Sequence, residues 1–149
     1  MRVRHLAAAA TVLVLVSCGS RDVGVDQGKQ TPEDLWGRTF VSVAVTEDGV
    51  PRPLVPETHI ELTFKERADE GVIGWEAGCN LHGANLDVSP QRLHLREIAG
   101  TAMGCRDELH AQDEWLVALF TSDPYWELHQ DRLMLTVGET VIELTSSRD

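Results

Sequence analysis

Apolar residues alternate with polar ones through most of the chain, and the alternation is that of strands. A β-branched run carries Phe40, Val41, Val43 and Val45 and stops at Glu47-Asp48-Gly49, a turn-forming triplet. In HIELTF, residues 59–64, Ile60, Leu62 and Phe64 interleave with His59, Glu61 and Thr63, the period of a half-buried strand. Residues 67–71 turn the chain, and Val72 to Trp75 form the next strand. A hairpin is predicted from Asn85–Val88 and Leu93/Leu95 around Ser89-Pro90-Gln91. Trp126 and Leu128, then Leu133, Leu135 and Val137, then Ile142 and Leu144 continue the alternation, with Gly138-Glu139 between the last two runs. PRPLVPE, residues 51–57, holds three prolines and is loop or sheet edge. Only DELHAQDEWLVALF, residues 107–120, has helical spacing, through Leu109, Trp115, Leu116, Leu119 and Phe120. Asp107 and Glu108 sit in its first turn, where the helix dipole favours negative charge. The expected fold is mainly β in an α+β arrangement: a small antiparallel sheet, barrel-like or strongly curled, with one packed α-helix.

The N-terminus is patterned differently. Arg2 and Arg4 precede an uncharged run from Leu6 to Val16. A bilayer-spanning helix needs roughly 18 apolar residues or more, so this shorter run suits the apolar region of an export signal. It ends in Leu15-Val16-Ser17-Cys18, which resembles a bacterial lipobox. That resemblance implies cleavage before Cys18 and acylation of its sulfur, with several chains holding the protein to a bilayer. The expected organisation is a lipoprotein signal peptide at 1–17, a flexible polar tether at 18–34, a folded domain at 35–145 and a short tail at 146–149. The expected location is the extracytoplasmic face of the bacterial cell envelope.

Charge narrows the partners. The chain carries 24 acidic and 13 basic residues, a formal net charge of −11. Removing residues 1–17 takes away two arginines and no acid, making the remainder more acidic still. Nucleic acid is excluded as a partner, because phosphate contacts require a basic face. The same acidity opposes a peripheral grip on anionic lipid.

With Cys18 assigned to lipid, Cys79 and Cys105 remain. In an exported domain two leftover cysteines meet oxidants first, so a disulfide is the expected state. Free thiols are one alternative. Another is a metal site, since Cys79, His82, Cys105 and His110 together have a composition and spacing close to those of structural zinc sites. Beside Cys79, Gly78 permits a sharp turn and Asn80 can bond its own backbone there.

GWEAGCNLHG at 74–83, IAGTAMGC at 98–105, the acidic helix and RLMLTVGETVIEL at 132–144 together resemble the META domain, the family of HslJ-type heat-inducible envelope proteins. Gly78, Cys79, Asn80, Gly83, Thr101, Met103 and Cys105 match the family pattern, and LWGRTFVSVAVTEDG at 35–49 is similar to its opening strand. Leu81 and His82 stand where the family tends to have a basic and an aromatic residue. The resemblance implies a small barrel-like fold with a helix, and a link to envelope stress or drug tolerance without an assigned catalytic activity.

No nucleophile elbow, phosphate-binding glycine loop or His-Glu-x-x-His motif occurs in the chain. The expectation is therefore a non-catalytic envelope module without a cofactor, acting as a scaffold for an envelope protein partner. The proline loop at 51–57 and the acidic helix face are the candidate contacts. The alternative is a small-molecule carrier whose barrel mouth is lined by Trp36, Trp75, Trp115 and Trp126.

Overall fold

The computed structural model describes residues 30–68 and 70–147. The expected signal peptide, Cys18 and most of the expected tether lie outside the described residues. A short 3-10 turn, Pro32–Leu35, leads into β1 (Thr39–Glu47), β2 (Val50–Pro51), β3 (Glu61–Arg67), β4 (Glu70–Glu76), β5 (Leu81–Val88) and β6 (Leu93–Gly100). The helix α1 (Asp107–Phe120) follows, then β7 (Tyr125–His129), β8 (Arg132–Val137) and β9 (Thr140–Ser146). The order across the sheet is β6-β5-β4-β3-β1-β9-β8-β7, with β2 paired to β1. All pairings are antiparallel.

The sheet curls into a half-barrel whose outer strands meet at one end. Arg92, just before β6, bridges Tyr125 of β7. Beside that bridge the Leu93 N–H donates to Pro124 O at 3.0 Å, and the Trp126 N–H to Gln91 O at 3.2 Å. The expected curled antiparallel sheet with one helix is thus the observed architecture.

Register follows from the alternation, because a one-residue slip would turn every apolar side chain to the other face. Phe40 lies opposite Leu62, which lies opposite Trp75. Phe64 lies opposite Ile73, and Ile73 opposite Ala84. On the far side Leu133 faces Leu144 and Leu135 faces Ile142. All of these are buried in one continuous core. The run at 40–45 breaks strict alternation, since Phe40 and Val45 are both buried although an odd number of positions apart. A register shift between Ser42 and Ala44 absorbs the extra residue and leaves Val43 58% exposed. Such a bulge re-phases a strand and increases its twist, which helps a sheet to curl.

The helix completes the core. Leu116, Leu119 and Phe120 join the apolar cluster, and the Phe120 ring lies 4.9 Å from that of Trp75. Phe40 and Phe64 pack edge to face at 5.8 Å, an arrangement favoured by the ring quadrupoles.

The folded unit begins before the expected boundary at Leu35. Thr31 and Asp34 form a capping box around the 3-10 turn. Gln30 reaches the outer edge of β7: its carboxamide donates to Trp126 O at 3.1 Å and accepts the Leu128 N–H at 2.7 Å.

Candidate functional site

The family-pattern residues converge where β4 ends, β5 begins and α1 packs across. Gly78 has φ +101°, and a Cβ there would lie 2.6 Å from Thr58 Cγ2. Both the backbone conformation and the close approach therefore call for glycine. Cys79 is bonded to Cys105, with Cα atoms 6.1 Å apart. That bond ties the β4–β5 corner to the segment entering the helix. It also leaves no pair of thiolates for zinc, so the Cys79, His82, Cys105, His110 metal alternative has lost its sulfur ligands. Among the described residues no group of three or more His, Cys, Asp or Glu side chains is placed to hold a metal ion.

Asn80, only 7% exposed, is the hub. Its Oδ1 accepts from the Thr101 hydroxyl at 3.1 Å and from the Met103 N–H at 2.9 Å. Its backbone N–H and its Nδ2 both donate to Asp113 Oδ2 at 2.9 Å. Thr101 in turn accepts the Leu81 N–H, and its own N–H donates to Leu81 O at 3.0 Å. Met103 takes part through its backbone, while its side chain stays 54% exposed. The Cys105 N–H donates to His110 Nε2 at 3.3 Å. Gly83 lies apart on β5, opposite Gly74 on β4 and Ala99 on β6.

His82 stands at the position where the family tends to have an aromatic residue, and it behaves as one. Its imidazole stacks on Trp75 at 5.3 Å with the planes 13° apart. Nε2 lies 3.8 Å from Asp113 Oδ2. Gly100 makes room for this ring, since a Cβ there would fall 2.5 Å from His82 Nδ1.

Two functional side chains escaped the reading of the sequence. Gln112 and Asp113 are buried on the helix, 6% and 4% exposed, although an acidic helix invites the assumption that its polar residues face water. Helical spacing held the signal. Positions 109, 112, 113, 116, 119 and 120 form one stripe, and polar residues on an apolar stripe mark buried hydrogen-bonding sites.

Gln112 ties the proline loop to the sheet. Its Oε1 accepts the Val55 N–H at 2.7 Å, and its Nε2 donates to Thr58 Oγ1 at 2.9 Å and to Ala77 O at 2.6 Å. Nearby, Arg52 lies over the Trp115 ring at 4.2 Å and pairs with Glu47 at 2.8 Å, while Trp115 Nε1–H donates to Glu47 at 3.0 Å. The loop is thus held from both ends. Replacing Gln112 with leucine should lower stability by about 2 kcal/mol or more, because the Val55 amide and the Ala77 carbonyl lose a buried partner. Urea unfolding measures this, and faster hydrogen exchange at Val55 should accompany it. Unchanged exchange would refute the clamp.

Asn80, His82, His110, Asp113, Val117 and Ala118 line an open recess of about 300 Å³ between α1 and β5, with Glu114 at its margin. Asp113 Oδ1 and His82 Nε2 are buried and have no hydrogen-bond partner among the described residues. Trp75 Nε1 is a third such atom.

A curled antiparallel half-barrel, closed by one helix and fastened through a Cys-Asn corner, defines a class of small β-rich modules. Residues 33–148 match the family model described as META domain. The chain belongs to the META domain family. Two solved structures share the fold. One is an NMR structure of a protein from Burkholderia xenovorans, at 15% identity, TM-score 0.65, and 99% coverage of both chains. The other, also determined by NMR, has 21% identity and TM-score 0.59, covering 78% of this chain and 94% of its own. No curated protein matches the chain.

Proposed function

We propose that this META-domain protein is a lipid-anchored, non-catalytic scaffold of the bacterial envelope, acting through a protein partner in envelope stress or drug tolerance. The observation that carries the reading is the packed interior. Phe40, Phe64, Trp75, Phe120 and Trp126 are each no more than 1% exposed. Small barrels filled by side chains do not hold a ligand in the lumen. Of the four tryptophans that would line a carrier's mouth, Trp75 and Trp126 are core, and Trp36 and Trp115 pack partly buried against it.

The clamped proline loop supports the partner contact. A loop already fixed in place loses little entropy on docking. All three of its prolines, Pro51, Pro53 and Pro56, are exposed, and Val50 beside Pro51 is 63% exposed. The Cys79–Cys105 bond supports an oxidising compartment. The lipobox-like Cys18 supports attachment to lipid.

Two measurements test the reading. Cys18→Ala should move the protein from the membrane fraction to the soluble fraction, and the wild-type mass should include acyl chains. A photo-crosslinker placed at Pro53 should trap one envelope protein, whereas the same group at Glu127 should not. Fractionation unaffected by the substitution would overturn the anchor. Equal labelling from both positions, or none, would overturn the scaffold.

A further inference from the structure

We propose that a groove on the outer face of β3, β4 and β5 binds a short zwitterionic peptide, extended along the strands with its ammonium group at Glu61 and Glu76 and its carboxylate at Lys65. The groove has a volume of about 260 Å³, and its floor holds two glycines that the fold does not require. Gly74 and Gly83 lie opposite each other in mid-strand, and neither has a positive φ. A Cβ on Gly74 would meet His82 O at 3.7 Å, and one on Gly83 would meet Ile73 O at 3.6 Å, both ordinary contacts. Alanine would therefore fit at either place, whereas at Gly78 and Gly100 a Cβ would fall 2.6 Å and 2.5 Å from a neighbour. Glycine inside a strand weakens the sheet, and where packing does not demand it, it marks a place that another backbone or a ligand approaches closely.

The charges around the floor define which ligand answers. Glu61 and Glu76 line one end of the groove and lie directly opposite each other on β3 and β4, a placement that destabilises a sheet when the charges are alike. Lys65, further along β3, lines the other end. None of the three has an ion-pair partner among the described residues. Paired carboxylates without a counter-charge attract a cation, and the free ammonium group attracts an anion. A purely anionic ligand is opposed at one end and a purely cationic one at the other. Positions four apart on a strand are separated by roughly 13 Å, and the long side chains reach inward from both ends. That leaves room for an extended peptide of about two or three residues, at about 3.4 Å per residue. Val72 and Leu81, the latter 58% exposed, offer apolar contact to its small side chains.

The groove lies outside the packed lumen and does not depend on lipid anchoring or on the partner contact. The test is a titration of the ¹⁵N-labelled full chain in detergent micelles with Ala-Ala-Ala, and with acetyl-Ala-Ala-Ala amide as its uncharged counterpart. The free tripeptide should shift the Gly74 and Gly83 backbone amides to saturation, with Kd on the order of 1 mM for so small a probe. The blocked peptide should leave them unmoved. The Gly74→Ala/Gly83→Ala double variant raises the floor by a methyl group on each strand and should weaken binding at least about ten-fold. Its Tm should nevertheless rise by roughly 1–5 °C, because alanine suits a strand better than glycine and restricts the unfolded chain. A merely structural role for the two glycines would lower the Tm instead. Lys65→Gln, at an exposed position, should weaken binding about five-fold or more through loss of the charge-assisted contact, and it tests the site even if the glycine variant does not fold. No shift with the free tripeptide, equal responses to the free and blocked peptides, shifts that survive both variants, or a lower Tm in the glycine variant would each overturn the proposal. Tighter binding of acetyl-Lys-Ala-Glu amide than of trialanine would also overturn it, by assigning the groove to an internal segment of a protein.

Discussion

Replacing Asn80 with aspartate will cost about 3–5 kcal/mol at neutral pH, the range seen when a buried charge loses its compensation. Asn80 Nδ2 now donates to Asp113 Oδ2 at 2.9 Å. The substitution turns that donor into a second carboxylate at contact distance. Two carboxylates sharing one site cannot both ionise, so one must keep its proton in the folded variant. The unfolded variant releases that proton at an ordinary carboxylate pKa. The folded variant therefore binds more protons than the unfolded chain at neutral pH, and its stability rises as pH falls. The deficit should be largest at pH 7 and shrink towards pH 4, whereas the wild type lacks this added dependence. Thermal melts across that range decide the matter, and a deficit independent of pH would show that Asp113 is not the group opposed.

Removing the disulfide has a comparable effect by a different route. Cys79 and Cys105 are separated by 26 positions, and closing a loop of that length disfavours the unfolded chain by roughly 3.5 kcal/mol in the chain-entropy model. The Cys79→Ser/Cys105→Ser double variant should lose about that much, a fall in Tm of roughly 10–20 °C for a domain of this size. Wild-type protein treated with reductant should fall similarly. The Asn80–Asp113 and Asn80–Met103 bonds cross the same corner, so the two substitutions should not add, and combining them will reveal coupling. A loss below about 1 kcal/mol in both the variant and the reduced protein would mean that these bonds alone organise the corner.

The sequence made some of this legible for clear reasons. The helix runs from Asp107 to Phe120, as its spacing and acidic first turn predict. The strands around Leu62, Trp75, Leu133 and Ile142 follow the two-residue period because one face of each is buried. The resemblance that named Asn80, Thr101 and Met103 did not reveal their work, which is hydrogen bonding between segments distant in sequence. Gln112 and Asp113 were hidden because helix periodicity is usually read from apolar residues alone. The bulge at Val43 was hidden because β-branched residues favour a strand whichever face they occupy. His82 looked like a departure from the family pattern, yet its flat ring fills the aromatic place beside Trp75.

Gln30 carries a consequence for crowding. An outermost strand offers unpaired amides and carbonyls that a neighbouring molecule could recruit. On β7 one such pair, Trp126 O and Leu128 N, is already taken by a single glutamine carboxamide imitating the peptide group of one more strand. A neighbouring molecule approaching this edge at that pair would meet a plugged register rather than a sticky seam.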